Sequence, residues 1–241
     1  MADEAASSPT TLAIDIGGTG IKMLVIDAEG RALTERMREL TPHPAAPEAV
    51  LAVIRDMVAR QPAFERVAVG FPGVVVRGVV KTAPNLDTEL WREQDLEAAI
   101  GGITGRPTRV INDADLQGYG VISGHGVELV LTLGTGLGSG LYVDGHLVPN
   151  LELAHHPFEK GRTYEERMSD AELSRIGKKK WNRRIARILT TLRPIFNFDK
   201  LYLGGGNAKK LRILLPEGVE VFENVEGMAG GVRLWGDRRV T

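Results

Sequence analysis

A chain of 241 residues, 43% hydrophobic and 25% charged, is long enough to build one large or two small cores and is not compositionally disordered. A net charge of −1 offers no global attraction to nucleic acid or to an anionic membrane, so any anion must be held by a local site. The lack of cysteine removes disulfides and thiolate metal sites, and neither a signal sequence nor a membrane-length apolar run is present, so a cytoplasmic protein with no membrane or nucleic-acid partner is expected.

Residues 1–9 read as a loose tail. Leu12, Ile14 and Ile16 then alternate as in a strand, and Ile21, Leu24, Val25 and Ile26 make a second, so Gly17-Gly18-Thr19-Gly20 between them is a turn. Val50, Val53, Ile54, Met57 and Val58 follow helical spacing, entered through Pro47. "RVAVGF" (66–71) is a strand stopped by Pro72-Gly73, and "TRVINDADLQGYG" is a strand ending at Asn112 with a helix starting at Asp113 or Ala114. "VELVLTLGTGLGSGLYVDGHLV" is a strand, a glycine turn and then a hairpin through Asp144-Gly145. From Tyr164 to Phe198 the pattern is helical, with Leu173, Ile176, Trp181, Ile185, Ile188, Leu189, Leu192 and Ile195 mostly three or four residues apart. "KLYLGGGNAKKL" is again strand, glycine turn, helix. A strand ending in a glycine turn thus recurs near the start of each half.

Glycine turns at strand ends let backbone N–H groups converge on an anion. A P-loop would need Gly-x4-Gly-Lys-Ser/Thr, which neither turn supplies, and a Rossmann turn needs Gly-x-Gly-x-x-Gly, whereas "GTGLGSG" (134–140) spaces its glycines by two. What remains is two hairpin turns, one per half, gripping a phosphate chain from opposite sides; each taken alone is also explained as a tight turn. Asp15, at the end of the first strand, faces the phosphates in this reading and can hold Mg2+ directly or through water, or is simply a turn-former. Asp113, where a strand becomes a helix, is the carboxylate chosen to take the proton of an acceptor hydroxyl, with a helix N-cap as its structural alternative. Glu152 and His155 in "NLELAHH" lack a third metal ligand and fit hydroxyl recognition on a polar substrate better, or else belong to a surface loop.

Taken together and in this order, "DIGGTGIK" (15–22), "GFPGVV" (70–75) with "TAPNL" (82–86), "NDAD" (112–115), "LGTGLGSGL" (133–141), "ELAHH" (152–156) and "GGGNAKKL" (204–211) resemble the ROK family of sugar kinases within the actin-like ATPase superfamily. "HHPFEKGRTYEERMSD" and "GKKKWNRR" are similar to its branch of polyphosphate- or ATP-dependent glucokinases. The resemblance implies an α/β, two-domain actin-like ATPase (ribonuclease-H-like) fold with an interdomain cleft. The first domain would span 10–111 together with a C-terminal helix in 223–241, and the second 112–222. It implies Asp113 as the catalytic base toward the sugar 6-hydroxyl and Asn85, Asn112, Glu152 and His155 as ligands of sugar hydroxyls. Gly17, Gly18, Thr19 and Gly20 with Lys22, and Gly134, Thr135, Gly136 and Gly138, match the phosphate-binding positions, and Gly205, Gly206 and Asn207 match those that hold the adenosine part of a nucleotide. Its implied partners are Mg2+ near Asp15, ATP or polyphosphate as donor, glucose or a related hexose such as mannose, and a second copy in a homodimer.

Two departures stand out. The family's cysteine zinc site is missing, so no structural zinc is expected and the loop 157–169 is expected to be ordered by packing alone; and the motif reads Glu-Leu-Ala-His, with Ala154 for the usual Gly. The run Lys178, Lys179, Lys180, Arg183 and Arg184, with Arg187 beyond it, is either a solvated helix face or a track for polyphosphate, with Trp181 and Ile185 pointing inward. The family's transcription repressors need a winged helix before the first strand, whereas about ten residues precede Leu12, so DNA reading is not expected. A non-catalytic sugar-binding protein of the same fold is the other rival, and phosphoryl transfer separates it from a kinase.

Overall fold

The computed structural model describes residues 9–223 and 229–237, so the tail expected at 1–9 lies almost wholly outside it. Strand β1 (Thr11–Ile16) turns directly into antiparallel β2 (Ile21–Ile26), and β3 (Met37–Glu39) extends the pair. Helix α1 (Pro47–Val58) places Pro at its first position, where the missing N–H has no intrahelical partner to lose, and buries Val50, Ile54 and Met57. Strand β4 (Arg66–Phe71) then joins β1 in parallel. A ribbon of β5 (Val75–Val76) and β6 (Val79–Val80) and helices α2 (Thr88–Trp91) and α3 (Leu96–Thr104) lead to β7 (Thr108–Asn112), parallel to β4. The first sheet therefore runs β3-β2-β1-β4-β7.

Helix α4 (Asp113–Tyr119) starts where β7 stops, followed by β8 (Val127–Leu133), β9 (Leu137–Val143) and β10 (His146–Val148). A short ribbon, β11 (Pro157–Glu159) and β12 (Arg162–Thr163), precedes α5 (Tyr164–Met168), α6 (Asp170–Ile176) and α7 (Lys178–Phe196); β13 (Lys200–Gly204) and β14 (Val219–Val221) complete the second sheet, and α8 (Gly230–Gly236) closes the described chain. That sheet runs β10-β9-β8-β13-β14, with β8 antiparallel to β9 and β13 parallel to both β8 and β14. It repeats the first sheet strand for strand. In each, the strand that precedes the glycine turn is central and buried, which sends both turns to the C-terminal edges of their sheets, where open α/β sheets bind ligands.

One core fills the space beneath the first sheet, another surrounds Trp181, Ile185 and Ile188 of α7, and a third joins the halves through Leu116 and Tyr119 of α4, Tyr142, Phe222 and Leu234. Because α4 is embedded in this shared core, the residues of its first turn are held at the seam.

Three expectations are corrected. The helical stretch 164–198 is three helices, interrupted at Ser169, whose Oγ accepts the Glu172 N–H, and at Gly177; the hydrophobic spacing survives both breaks because each following helix packs on the same core. Ile195, expected inside, is 56% exposed. After the third glycine turn only a single 3₁₀ turn forms, Ala208–Lys210. The helix expected in 223–241 is observed at Gly230–Gly236, packed on α4 and β4, and the rest of that expectation, 224–228 and 238–241, lies outside the described residues. Among the described residues no helix is long and apolar enough to cross a membrane.

Candidate active site

A cleft of about 360 Å³ opens between the two sheets and is lined from both halves. Asp15, Gly17, Gly18, Thr19, Lys22, Asn85, Asn112 and Asp113 reach it from the first half and the start of α4, and Gly134, Thr135, Gly136, Gly138, Glu152, His155 and Gly205 reach it from the second. Most of the residues singled out in the sequence thus meet in one place.

The first turn is closed by the Gly17 N–H donating to Gly20 O at 3.1 Å and by the Thr41 hydroxyl donating to Gly17 O. Pairing of β1 with β2 puts Lys22 opposite Asp15, and Lys22 Nζ lies 2.6 Å from Asp15 Oδ2. Gly20 is outside the cleft lining, buried against Arg38 and Glu39 of β3.

The second turn is Gly134–Gly136, closed by the Gly134 N–H donating to Gly136 O at 3.1 Å. Gly138 belongs to β9, not to the turn, and a Cβ there would lie 2.7 Å from Ala114 Cβ and 2.3 Å from Thr132 Oγ1, so its glycine serves close packing of β9 on α4. Gly205 has φ +84° and a Cβ on it would lie 2.4 Å from Leu133 O, which ties the third turn to the second. Asn207 does not line the cleft: it is buried, its N–H donates to Leu133 O at 2.9 Å and its Nδ2 to Gly134 O at 3.2 Å, bracing the second turn. Gly206 is exposed and also outside the lining.

At the seam, Asn112 takes the N-cap of α4: its Oδ1 accepts the N–H groups of Ala114 (2.8 Å) and Asp115 (3.2 Å), and its Nδ2 donates to Gly73 O. The capping alternative expected for Asp113 therefore belongs to its neighbour, and Asp113 sits at the first helical position facing the cleft. Its carboxyl is pushed up to about 7, first by burial, then by the charges of Asp15 and Glu152, while the Ala114 N–H and Lys22 pull the other way. Such a group is poised to exchange a proton near neutrality. Glu152 is also pushed up, chiefly by burial, and lies 3.4 Å from Nε2 of the exposed His155; Leu153–His155 is a 3₁₀ turn with Ala154 buried.

Sequence reasoning missed Glu165, Gln117, Thr132 and Ser139, all of which line the cleft. Glu165 Oε2 accepts the Leu137 N–H at 3.1 Å, where the second turn enters β9. The signal that could have found it is the capping box Thr163…Glu166, which starts α5 and sets Glu165 in its first turn.

The basic run divides. Lys178, Lys179, Lys180 and Arg183 are exposed, and none lines the cleft. Arg184 turns inward to Glu172 and Glu159, beside Arg167, and Arg187 lies 2.7 Å from Glu159; this network and the Phe158–Tyr164 ring contact at 4.8 Å order the loop 157–169, so packing is not its sole support. Hydrogen bonds and charge, from Arg175 first and then from Arg184, lower the Glu172 carboxyl to about 2 against the opposing push of its burial.

Among the described residues no three acidic or histidine groups converge as a metal site. Mg2+ does not require one, since it keeps most of its water and binds through one or two carboxylates plus substrate phosphates, a donor set that Asp15 at the end of β1 fits.

The ROK family profile matches residues 11–151. A polyphosphate glucokinase from Mycobacterium tuberculosis is 34% identical over 213 residues, covering 84% of this chain and 80% of that one. A glucokinase from Streptomyces coelicolor is 36% identical over 147 residues, 57% of this chain and 44% of the relative. Among solved structures, an inorganic polyphosphate/ATP-glucomannokinase from Arthrobacter sp. superposes with a TM-score of 0.83 at 34% identity, covering 93% of this chain and 97% of that one. A ROK family glucokinase from Streptomyces griseus, solved with glucose and AMPPNP, shares the fold with a TM-score of 0.75 at 23% identity, covering 93% and 98%.

Proposed function

The chain belongs to the ROK family, with the actin-like ATPase fold and the character of a hexokinase-type sugar kinase, and from that premise we propose that it moves a phosphoryl group from polyphosphate or ATP to the 6-hydroxyl of glucose. One observation carries the reading: a carboxyl raised to about 7 stands at the seam of a cleft whose walls are two glycine turns from two like-ordered sheets.

In this mechanism the hexose lies against Asn85, Glu152, His155 and Glu165, and Asp113 accepts the proton of the 6-hydroxyl as its oxygen bonds to phosphorus and the donor oxygen leaves. The turns at Gly17–Gly20 and Gly134–Gly136 offer backbone N–H groups to the donor, and Lys22 shifts its charge from Asp15 toward the phosphates. Asp15 would hold Mg2+, which when bound would supply neutralisation of donor charge. Asn112 caps α4 through its Oδ1 and gives one Nδ2 hydrogen to Gly73 O, which leaves the second Nδ2 hydrogen of this cleft-lining residue for a sugar hydroxyl. Residues 10–111 with α8 and residues 112–222 act as the two bodies whose closure excludes water, which favours transfer to the sugar over hydrolysis.

Exposed Lys178, Lys179, Lys180 and Arg183 are the part of the basic run left for a polyphosphate path; Arg184 is removed from it by its ion pairs. The deciding assay is glucose 6-phosphate formation by purified protein with Mg2+, with ATP or polyphosphate as the only donor, on glucose and then on mannose. Activity with polyphosphate that weakens when Lys179 and Arg183 are both replaced by Glu, with ATP activity spared, sustains the path. Silence with both donors on both sugars overturns the kinase reading for these substrates.

A further inference from the structure

Two residues beyond Asp113, Asp115 is buried to 1% exposure and plays no part in the mechanism above. Its Oδ1 has no hydrogen-bond partner among the described residues, and its Oδ2 accepts the backbone N–H of Asn150 at 3.4 Å. A lone buried carboxyl is costly, and it is tolerated when it is neutral and when it holds something in place. Burial, with the charges of Asp113 and Glu152 behind it, keeps this carboxyl well above the usual carboxylate range.

What it holds is the root of the loop that carries Glu152. Asn150 stands at φ +59°, a conformation uncommon for a residue with a side chain and sustained here by its fixed contacts. Its amide crosses to the first half, where Oδ1 accepts the Val75 N–H at 3.3 Å and Nδ2 donates to Val75 O at 3.0 Å. One turn further, Ser139 Oγ donates to Leu151 O and accepts the Leu153 N–H at 3.3 Å. The segment 150–153 is thus hung at three points: on α4 through Asp115, on β9 through Ser139, and on β5 of the opposite half through Asn150.

We propose that Asp115 and Asn150 are positioning residues that form a strap between the halves, fixing the Glu152–His155 loop relative to Asp113 so that hydroxyl recognition and proton acceptance come into register. The proposal rests on the reading of Asp113 as base and of Glu152 and His155 as sugar ligands. Asp113 and Asp115 share one helical turn, so α4 carries the base on its cleft side and the anchor of the sugar loop on its buried side. A displacement of the loop therefore changes the hydroxyl contacts directly and reaches the base only through the charge of Glu152, a lesser cause of its raised carboxyl than burial and Asp15.

Three variants separate the parts of the strap. Asp115→Leu removes the acceptor, Asp115→Asn keeps an acceptor oxygen of the same reach, and Asn150→Gly keeps the N–H and the positive φ while deleting the bridge to Val75. Asp115→Leu is expected to raise the hexose KM about tenfold with kcat within about threefold, Asp115→Asn to restore KM to near wild type, and Asn150→Gly to raise KM about fivefold. Hydrogen exchange, read without any sugar, is expected to speed up at Val75 in Asn150→Gly and at Leu153–His155 in both Asn150→Gly and Asp115→Leu. Should Asp115→Leu fail to fold, the other two variants still decide. Equal KM values for wild type and Asn150→Gly, or unchanged exchange at Val75, overturn the strap. If the wild type neither phosphorylates nor binds glucose or mannose, the functional reading falls, and exchange at Val75 still judges the strap.

Discussion

The two glycine turns occupy equivalent places in two sheets of the same strand order, yet they are held in different ways. The first is mainly local: its closing hydrogen bond joins residues three apart and its charges, Asp15 and Lys22, come from the two strands it connects, with the Thr41 hydroxyl on Gly17 O added from 24 residues away. The second turn carries no charge of its own and is braced from a distance, by Glu165 on Leu137, by the Asp170 N–H and the Asn207 amide on Gly134 O, and by Gly205 pressed on Leu133. A hairpin that supplies its own charges answers mainly to its own sequence. One that borrows its supports inherits the order of α5, α6 and the β13 turn.

Variants can break or sharpen this contrast. Asp113 stands between the turns, and Asp113→Asn is expected to cut turnover by about 10²–10⁴-fold with hexose affinity nearly unchanged, measured by steady-state kinetics alongside calorimetric titration. If turnover persists, positioning by the two turns is sufficient and Asp113 is not the base. Next in size, Gly205→Ala forces a side chain into a positive φ and onto the Leu133 backbone and should destabilise by about 1–3 kcal/mol in denaturant unfolding. Gly134→Ala meets nothing within 4 Å at an ordinary φ and should leave stability nearly intact, so equal losses would show that the bracing of the second turn is misjudged.

At the first turn, Lys22→Met should raise the KM for either donor about tenfold with little effect on Tm, whereas Asn207→Ala at the second should cost about 1 kcal/mol of stability and raise the donor KM only about threefold. The reverse ranking would mean that the second turn, not the first, dominates donor binding. A further effect is on stability against pH. In the folded chain Asp113 takes up its proton at about 7, against 3.8 for the ordinary carboxyl, so its contribution is full below 3.8 and is lost as pH rises through about 7. Asp113→Asn should therefore raise Tm at pH 8 and leave it unchanged below 3.8, and kcat/KM of the parent chain should fall as pH drops below about 7. A Tm difference that is independent of pH would remove the raised affinity for the proton.

Much of this is legible in the sequence. Period-two hydrophobic runs stopped by Gly17-Gly18 and Gly134-Thr135-Gly136 identify strands and turns because alternation and tight turns are matters of neighbours. Asp113 was legible because a strand ending against a helix start exposes whatever follows. Arg184 reads from the sequence as part of a run that is a solvated face or a polyphosphate track, although it stands three residues after Trp181 and four before Ile188, on the flank of the buried face, and pairs with Glu172. Glu165 was passed over because its partner, Leu137, is 28 residues away in the chain. The breaks at Ser169 and Gly177 were hidden because three short helices packed on one core keep a single hydrophobic rhythm.

The sequence by itself determined the strands, the hairpin turns and the helix that starts at Asp113, since each follows from steric preference and spacing over a few residues, while the family rests on the resemblance of its motifs taken together along the chain. Only the tertiary structure decided which groups share the cleft, that Asn112 caps while Asp113 faces the site, that Asp115 is buried beneath it, and that Arg184 is spent on carboxylates. Those outcomes depend on burial and on charges brought together from distant segments, and the field at a side chain is the sum over everything packed around it, which no local spacing records.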